Sequence, residues 1–218
     1  MNKLTELNLE FRSSEHYGGE WLWPAEEFIA WKYLHKGARD LPKKIANICK
    51  NKNLVLQAGG NAGLYPKEYS KLFDIVITIE PDHRNFFCLT YNVEETNVSK
   101  IQACLGNSND FLNLDYNEKY KETNRGGMKV SGTGKIPQIT IDSLKLKPDL
   151  IHLDIEGYEG FAIEGAKETL TTYSPVVVLE TNGSGDAYGW PQEKIDNLLK
   201  SYGYKIIEEW GHDTVYGK

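Results

Sequence analysis

The chain has 218 residues, 40% of them hydrophobic, and a net charge of −6. That is enough chain for one domain with its own core. The charges are mixed without a basic stripe, which argues against an extended nucleic-acid footprint, and the longest aliphatic run, VVVL (176–179), is too short to cross a bilayer.

The opening MNKLTELNLEFRSSEH lacks the apolar core of a signal peptide. Cys49, Cys88 and Cys104 form no CxxC pair, and each sits in an apolar pattern, as buried thiols of an intracellular protein do. A cytoplasmic location without membrane contact is the expectation.

In chain order, residues 1–52 read as a helical, Trp-rich leader containing Trp21, Trp23 and Trp31, with Leu41, Ile45, Ile48 and Cys49 at helical spacing. Residues 53–218 read as the α/β core of the same single domain. Five apolar runs predict strands: LVLQA (54–58), IVITIE (75–80), KIQACL (100–105), LIHLDI (150–155) and VVVLE (176–180). Helical patterns separate them, and Pro66 and Pro191 stand where first helical turns would begin. This alternation predicts a doubly wound, mostly parallel sheet covered on both faces. Glycines and short apolar patches over 110–141 predict a β-hairpin excursion, and YKIIEEWGHDTVYG predicts a terminal antiparallel hairpin.

The first strand ends in AGGNAGLYP (58–66), where glycines let the backbone turn sharply and approach a ligand closely. The second strand ends in Glu80, followed by Pro81 and Asp82. A carboxylate there can accept both ribose hydroxyls of an adenosine-containing cofactor. It could equally cap a helix beginning near Asp82. A dinucleotide fingerprint would need glycines at 58, 60 and 63, and position 58 is Ala. An NAD-linked oxidoreductase and a catalytically silent cofactor-binding module therefore stand as alternative readings.

LVLQAGGNAGLYP, VITIEPD (76–82), TIDSL (140–144), LIHLDIEGYEGFAIEGAKETL (150–170) and PVVVLE (175–180) together resemble the FkbM family of S-adenosylmethionine-dependent methyltransferases. The resemblance runs from about residue 53 to 182, and its most specific part is D-x-E-G-x-E at Asp154, Glu156, Gly157 and Glu159. It implies a class I methyltransferase (Rossmann-like) fold, S-adenosyl-L-methionine as cofactor, and O-methylation of a hydroxyl on a sugar, glycan or other small polar acceptor. It implies Gly59, Gly60, Asn61 and Gly63 at the methionine end of the cofactor, Glu80 with Pro81 beside it at the ribose, and Asn107, within Gly106–Ser108, near the adenine. Two positions depart from the family: Gln57 stands where an acid is usual, and His152 where a lysine is usual.

Transfer to a hydroxyl calls for a positioned acceptor and a general base. Asp154 ends the fourth strand, and His152, two residues earlier, shares its face about 6.6 Å away along the strand. Asp154 is expected to orient the acceptor or the sulfonium, and His152 to take the proton. His152 also reads as a buried neutral histidine, and Asp154 as a helix cap. Glu156 is a candidate acceptor contact, or with Glu159 a loop acid complementing a helix dipole. Trp21 and Trp23 are candidate stacking surfaces for a sugar ring, or leader packing. GSGDAYG (183–189) is a candidate acceptor-gating loop. Asp154, Glu180 and Asn182 end adjacent strands where oxygen ligands could hold Mg²⁺; the expectation is that no metal is bound.

Overall fold

A computed structural model describes residues 3–14, 17–28, 31, 40–115 and 128–218. After a short helix α1 (Lys3–Glu6), strands β1 (Leu9–Ser13) and β2 (Glu20–Pro24) pair antiparallel, with Gly18 and Gly19 at positive φ between them. The helical leader is thereby corrected: its tryptophan segment is extended. The reason is burial on both sides. Successive side chains of a strand point to opposite faces, yet Trp21, Leu22 and Trp23 are 4%, 0% and 0% exposed. The hairpin achieves this by lying against a helix that supplies an amide as strand partner. Asn92 accepts from Leu22 N at 2.8 Å and donates to Leu22 O and Ala62 O, each at 2.8 Å. The helical part of the leader is α2 (Asp40–Ile48), which buries Ile45 and Ala46.

The core then alternates as the pattern predicts: β3 (Leu54–Ala58), α3 (Leu64–Tyr69), β4 (Ile75–Ile79), α4 (His83–Asn92) and β5 (Val98–Ile101). The third run breaks after Ile101, and Cys104–Leu105 forms a separate strand β6. The excursion follows as β7 (Asp110–Asp115) and β8 (Lys129–Ile139), paired antiparallel, with β6 parallel to β8. Gly126 and Gly127 of the expected hairpin lie outside the described residues. Next come β9 (Leu150–Leu153), α5 (Glu159–Glu164), α6 (Lys167–Tyr173), β10 (Val176–Glu180), α7 (Gln192–Ser201), β11 (Lys205–Trp210) and β12 (Asp213–Gly217).

The main sheet has the order β11-β12-β10-β9-β3-β4-β5. Its five strands from β10 to the edge strand β5 are parallel, and β12 enters antiparallel between β10 and β11. Strand order reverses between β3 and β9, so their carboxyl ends open a crevice at the switch point. One face carries Leu56, Ile151, Leu153 and Leu179 against Ile163, Leu170 and Leu199 of α5, α6 and α7. The other carries Val55, Val76, Leu150 and Val178 against Ile45, Tyr69 and Leu89 of α2, α3 and α4. The three cysteines are free and buried, and burial pushes each thiol up to about 12. Among the described residues no helix is long and apolar enough to cross a membrane.

Candidate active site

The glycine loop crosses from β3 over the end of β4. Gly59 N and Gly60 N both donate to Ile79 O at 3.0 Å. Gly59 has φ +83°, and a Cβ there would lie 1.8 Å from the carbonyl oxygen of Asp154. A Cβ on Gly60 would lie 2.7 Å from Thr78 Oγ1, and Gly63, at φ +105°, leads into α3. At Gly59 the loop therefore packs backbone against backbone between two strand ends, which only glycine permits.

Glu80 follows β4 and is 5% exposed. Its Oε2 accepts from Asn61 N at 2.8 Å and its Oε1 from Asp82 N at 2.9 Å. Burial, then the Asp82 charge, raises its pKa to about 7 against those two bonds. The helix cap belongs instead to Asp82, which accepts from Arg84 N at 3.0 Å and Asn85 N at 2.9 Å. Glu80 thus remains available to the crevice.

A cleft open to solvent occupies this crevice. Gly59, Glu80, Pro81, Asp154 and Glu156 line it, with an apolar floor from Ile79, Ala103 and Leu105. The excursion supplies its far wall through Leu114, Met128 and Val130. Tyr158 also lines it and donates to Gln138 Oε1 at 3.1 Å, while Tyr188 donates to Val130 O at 3.2 Å. These two phenols fasten the excursion to the main domain. The 183–189 segment carrying Tyr188 forms a 3-10 turn over Ser184–Tyr188.

At the ends of β9 and β10 the carboxylates of Asp154, Glu156 and Glu180 each offer an oxygen within 4.8 Å of the others, a set that could hold a metal ion. Burial, followed by the Glu180 and Asp213 charges, raises the Asp154 pKa well above its ordinary value. Burial also raises Glu180 to about 7 and Glu156 to about 8, with neighbouring carboxylates adding to each. Glu156 adopts φ +58° and Gly157 φ +96°, where a Cβ on Gly157 would lie 2.5 Å from Ser184 C. Glu159, 2% exposed, holds this loop by accepting from Ile155 N at 2.9 Å. Asn182, the third member of the metal set read from sequence, is exposed and accepts from Ser184 N at 2.9 Å.

His152 is 0% exposed and pairs with Gln57 and Val178 in the sheet. Its Nδ1 meets Tyr69 Oη at 2.9 Å, the Tyr65 ring lies 5.2 Å away, and Nε2 has no hydrogen-bond partner among the described residues. Burial lowers its pKa to about 4, so the ring is neutral at physiological pH. His152 lies beneath the cleft rather than in its lining, so it is not brought together with Asp154 at the surface a ligand would meet.

The remaining expected residues divide. Gly60, Asn61 and Gly63 build the loop under the cleft, and Asn107 donates outward to Glu164 at 2.9 Å. Trp21 and Trp23 are packed with Leu9, Ala62, Leu64 and Cys88, which leaves neither indole face to stack on a sugar. Sequence reasoning missed the Leu114–Met128–Val130 wall, Tyr158 and Asp213. Only Asp213 carried a usable signal, an acid at the turn of the terminal hairpin.

The family described as "Methyltransferase FkbM domain" matches residues 57–206. None of the curated proteins compared with the chain matches it. Among solved structures the chain is similar to the FkbM methyltransferase of Methylobacillus flagellatus KT, at 18% identity and a TM-score of 0.52, covering 77% of this chain and 44% of that one. It is similar to Trm5b from Pyrococcus abyssi at 14% identity and a TM-score of 0.50, covering 96% and 54% respectively. It also resembles M. jannaschii TYW2, a structure in complex with AdoMet, at 14% identity and a TM-score of 0.49 over 97% and 87%. At these identities the structural likeness speaks for the fold alone, and the chain spans less than half the length of the Methylobacillus protein.

Proposed function

The chain belongs to the FkbM family of methyltransferases, and from that premise we propose that it methylates a hydroxyl of a sugar, glycan or other small polar acceptor. The cofactor of such a fold, S-adenosylmethionine, supplies a methyl carbon already activated by its sulfonium.

The residues present fit that cofactor. Gly59 lines the cleft and, having no side chain, offers a ligand its backbone there. The Glu80 carboxylate stands at the end of β4, beside the apolar floor of Ile79, Ala103 and Leu105. Asp154 and Glu156 put a half-buried, acid-rich strand end in the same cleft. The observation that carries the reading is this meeting of Gly59, Glu80 and Asp154 in one cleft at the switch point.

Within the proposal, Gly59 and Glu80 would hold the cofactor and the remainder of the cleft would position the acceptor hydroxyl beside it, an effect worth up to about 7–11 kcal/mol. The hydroxyl proton passes to the Asp154–Glu180 pair, whose raised affinity for a proton suits a base working near neutrality. His152 serves from below, keeping the Tyr69 hydroxyl paired and packing against Tyr65.

The test is calorimetry with S-adenosylhomocysteine and with NAD, followed by turnover on a panel of hydroxyl acceptors. Binding of S-adenosylhomocysteine but not NAD, with radiolabelled methyl recovered as an ether, is the expected result. Binding of NAD alone would overturn the reading.

A further inference from the structure

We propose that Gln57, backed by Thr78, is the positioning residue of the cofactor loop, and that it works by holding backbone rather than by touching ligand. The proposal rests on the reading of the cleft as a cofactor site. Gln57 is 0% exposed and absent from the cleft lining. Its Nε2 donates to Ala58 O and to Gly59 O, each at 3.0 Å, and its Oε1 accepts from Thr78 Oγ1 at 2.6 Å. The amide orientation follows from its partners, because a flip would set Oε1 against two carbonyls.

Thr78 stands opposite Gln57 in the β3–β4 pairing. Its hydroxyl is also the atom that a Cβ on Gly60 would strike. Gly59 is therefore tied down through its carbonyl, and Gly60 rests on the hydroxyl behind the same amide. Ala58 O receives a further bond from Asp154 N at 3.1 Å, so the carbonyl that Gln57 holds at the end of β3 also ties the start of the Asp154 loop, which leaves β9, to that strand end. A carboxylate at position 57 has no hydrogen to give either carbonyl, so the amide at this position, where the family usually has an acid, changes the task of the residue.

The experiment measures S-adenosylhomocysteine affinity by calorimetry, well below the melting transition, for the parent, Gln57→Leu, Thr78→Val, Thr78→Ser and the Leu/Val double variant. Gln57→Leu keeps the volume and removes both donors, and is expected to lose about 10- to 100-fold in affinity. Thr78→Val loses less, about 3- to 10-fold, Thr78→Ser restores the parent value, and the double variant is no weaker than Gln57→Leu because both changes act through one amide. A folded Gln57→Leu with affinity within about twofold of the parent, its loss confined to melting temperature, overturns the proposal. Should Gln57→Leu not fold, an unchanged affinity in Thr78→Val does the same. A parent that binds no S-adenosylhomocysteine fails the cofactor reading first, and the proposal falls with it.

Discussion

Glu180 and Asp213 stand directly opposite one another across the antiparallel pairing of β10 and β12. Like charges in that relationship ordinarily destabilise a sheet. Burial raises Asp213 to about 6 and Glu180 to about 7, so the pair lowers its own charge by holding protons, and Asp154 and Glu156 crowd the same corner. Such a concentration of like charge costs stability, which is why we place the proposed chemistry at this corner.

The first prediction concerns rate. If the Asp154–Glu180 pair takes the acceptor proton, kcat/KM rises with pH as the pair ionises, with its midpoint near the Glu180 value of about 7. Asp154→Asn is expected to lower transfer by about 10²-fold or more and to remove that limb. A pH–rate profile on the parent and the variant decides it.

Stability carries its own pH signature. Glu80 and Glu159 are both lifted to about 7 from an ordinary 4.5. Because the folded form holds these protons more tightly, their contribution is fully present below about pH 4.5 and is lost as pH rises through about 7. The ligand-free protein is therefore expected to melt at a lower temperature at pH 8 than at pH 5.5, and Glu159→Gln to flatten that slope. Calorimetric scans across the range test both statements.

For the cofactor pocket, Gly60→Leu and Glu80→Ala should each weaken S-adenosylhomocysteine binding by at least about tenfold while the fold persists. Gly60→Leu acts by pressing on Thr78, and Glu80→Ala by freeing Asn61 N and Asp82 N. Unchanged titration curves for both variants would remove the cofactor from this cleft.

Metal dependence is a separate matter. Asp154, Glu156 and Glu180 all hold protons more tightly than ordinary carboxylates, and a cation would have to displace those protons to bind. Transfer is expected to survive EDTA treatment and to ignore added Mg²⁺. Loss of activity on chelation, restored by Mg²⁺, would put a cation among Asp154, Glu156 and Glu180.

His152→Asn separates the two candidate bases. With the carboxylate pair as base, this variant keeps its pH–rate limb and a rate within about tenfold of the parent, and loses stability because Tyr69 Oη loses its ring partner. A fall of about 10²–10⁴-fold at saturating cofactor would return the role to the histidine.

What the sequence made legible was local. Strand runs, the glycine loop, Glu80 and the D-x-E-G-x-E element all announce themselves within a few residues, because period, turn chemistry and strand-end acids are short-range signals. The leader hairpin was not legible. EWLWP buries both faces and so lacks alternation, and its partner is the Asn92 amide, about 70 residues away. The cleft wall of Leu114, Met128 and Val130 depends on how β7 pairs with β8, and that pairing shifts register at Leu112. Asp213 meets Glu180 only through the register of the terminal hairpin, and the burial of His152 depends on Tyr65 and Tyr69 arriving from α3.

The placing of β12 between β10 and β11 has a consequence for synthesis on the ribosome. Until residues 213–217 have left the exit tunnel, the open side of β10 has no hydrogen-bonding neighbour, although Val177, Val178 and Leu179 beside it are already fit for the interior. A nascent chain stalled anywhere before that point would present a bare apolar strand edge, the kind of surface that recruits other chains. Of the strands of this sheet β12 emerges last, and it is also the one that brings Asp213 against Glu180 in the acidic corner.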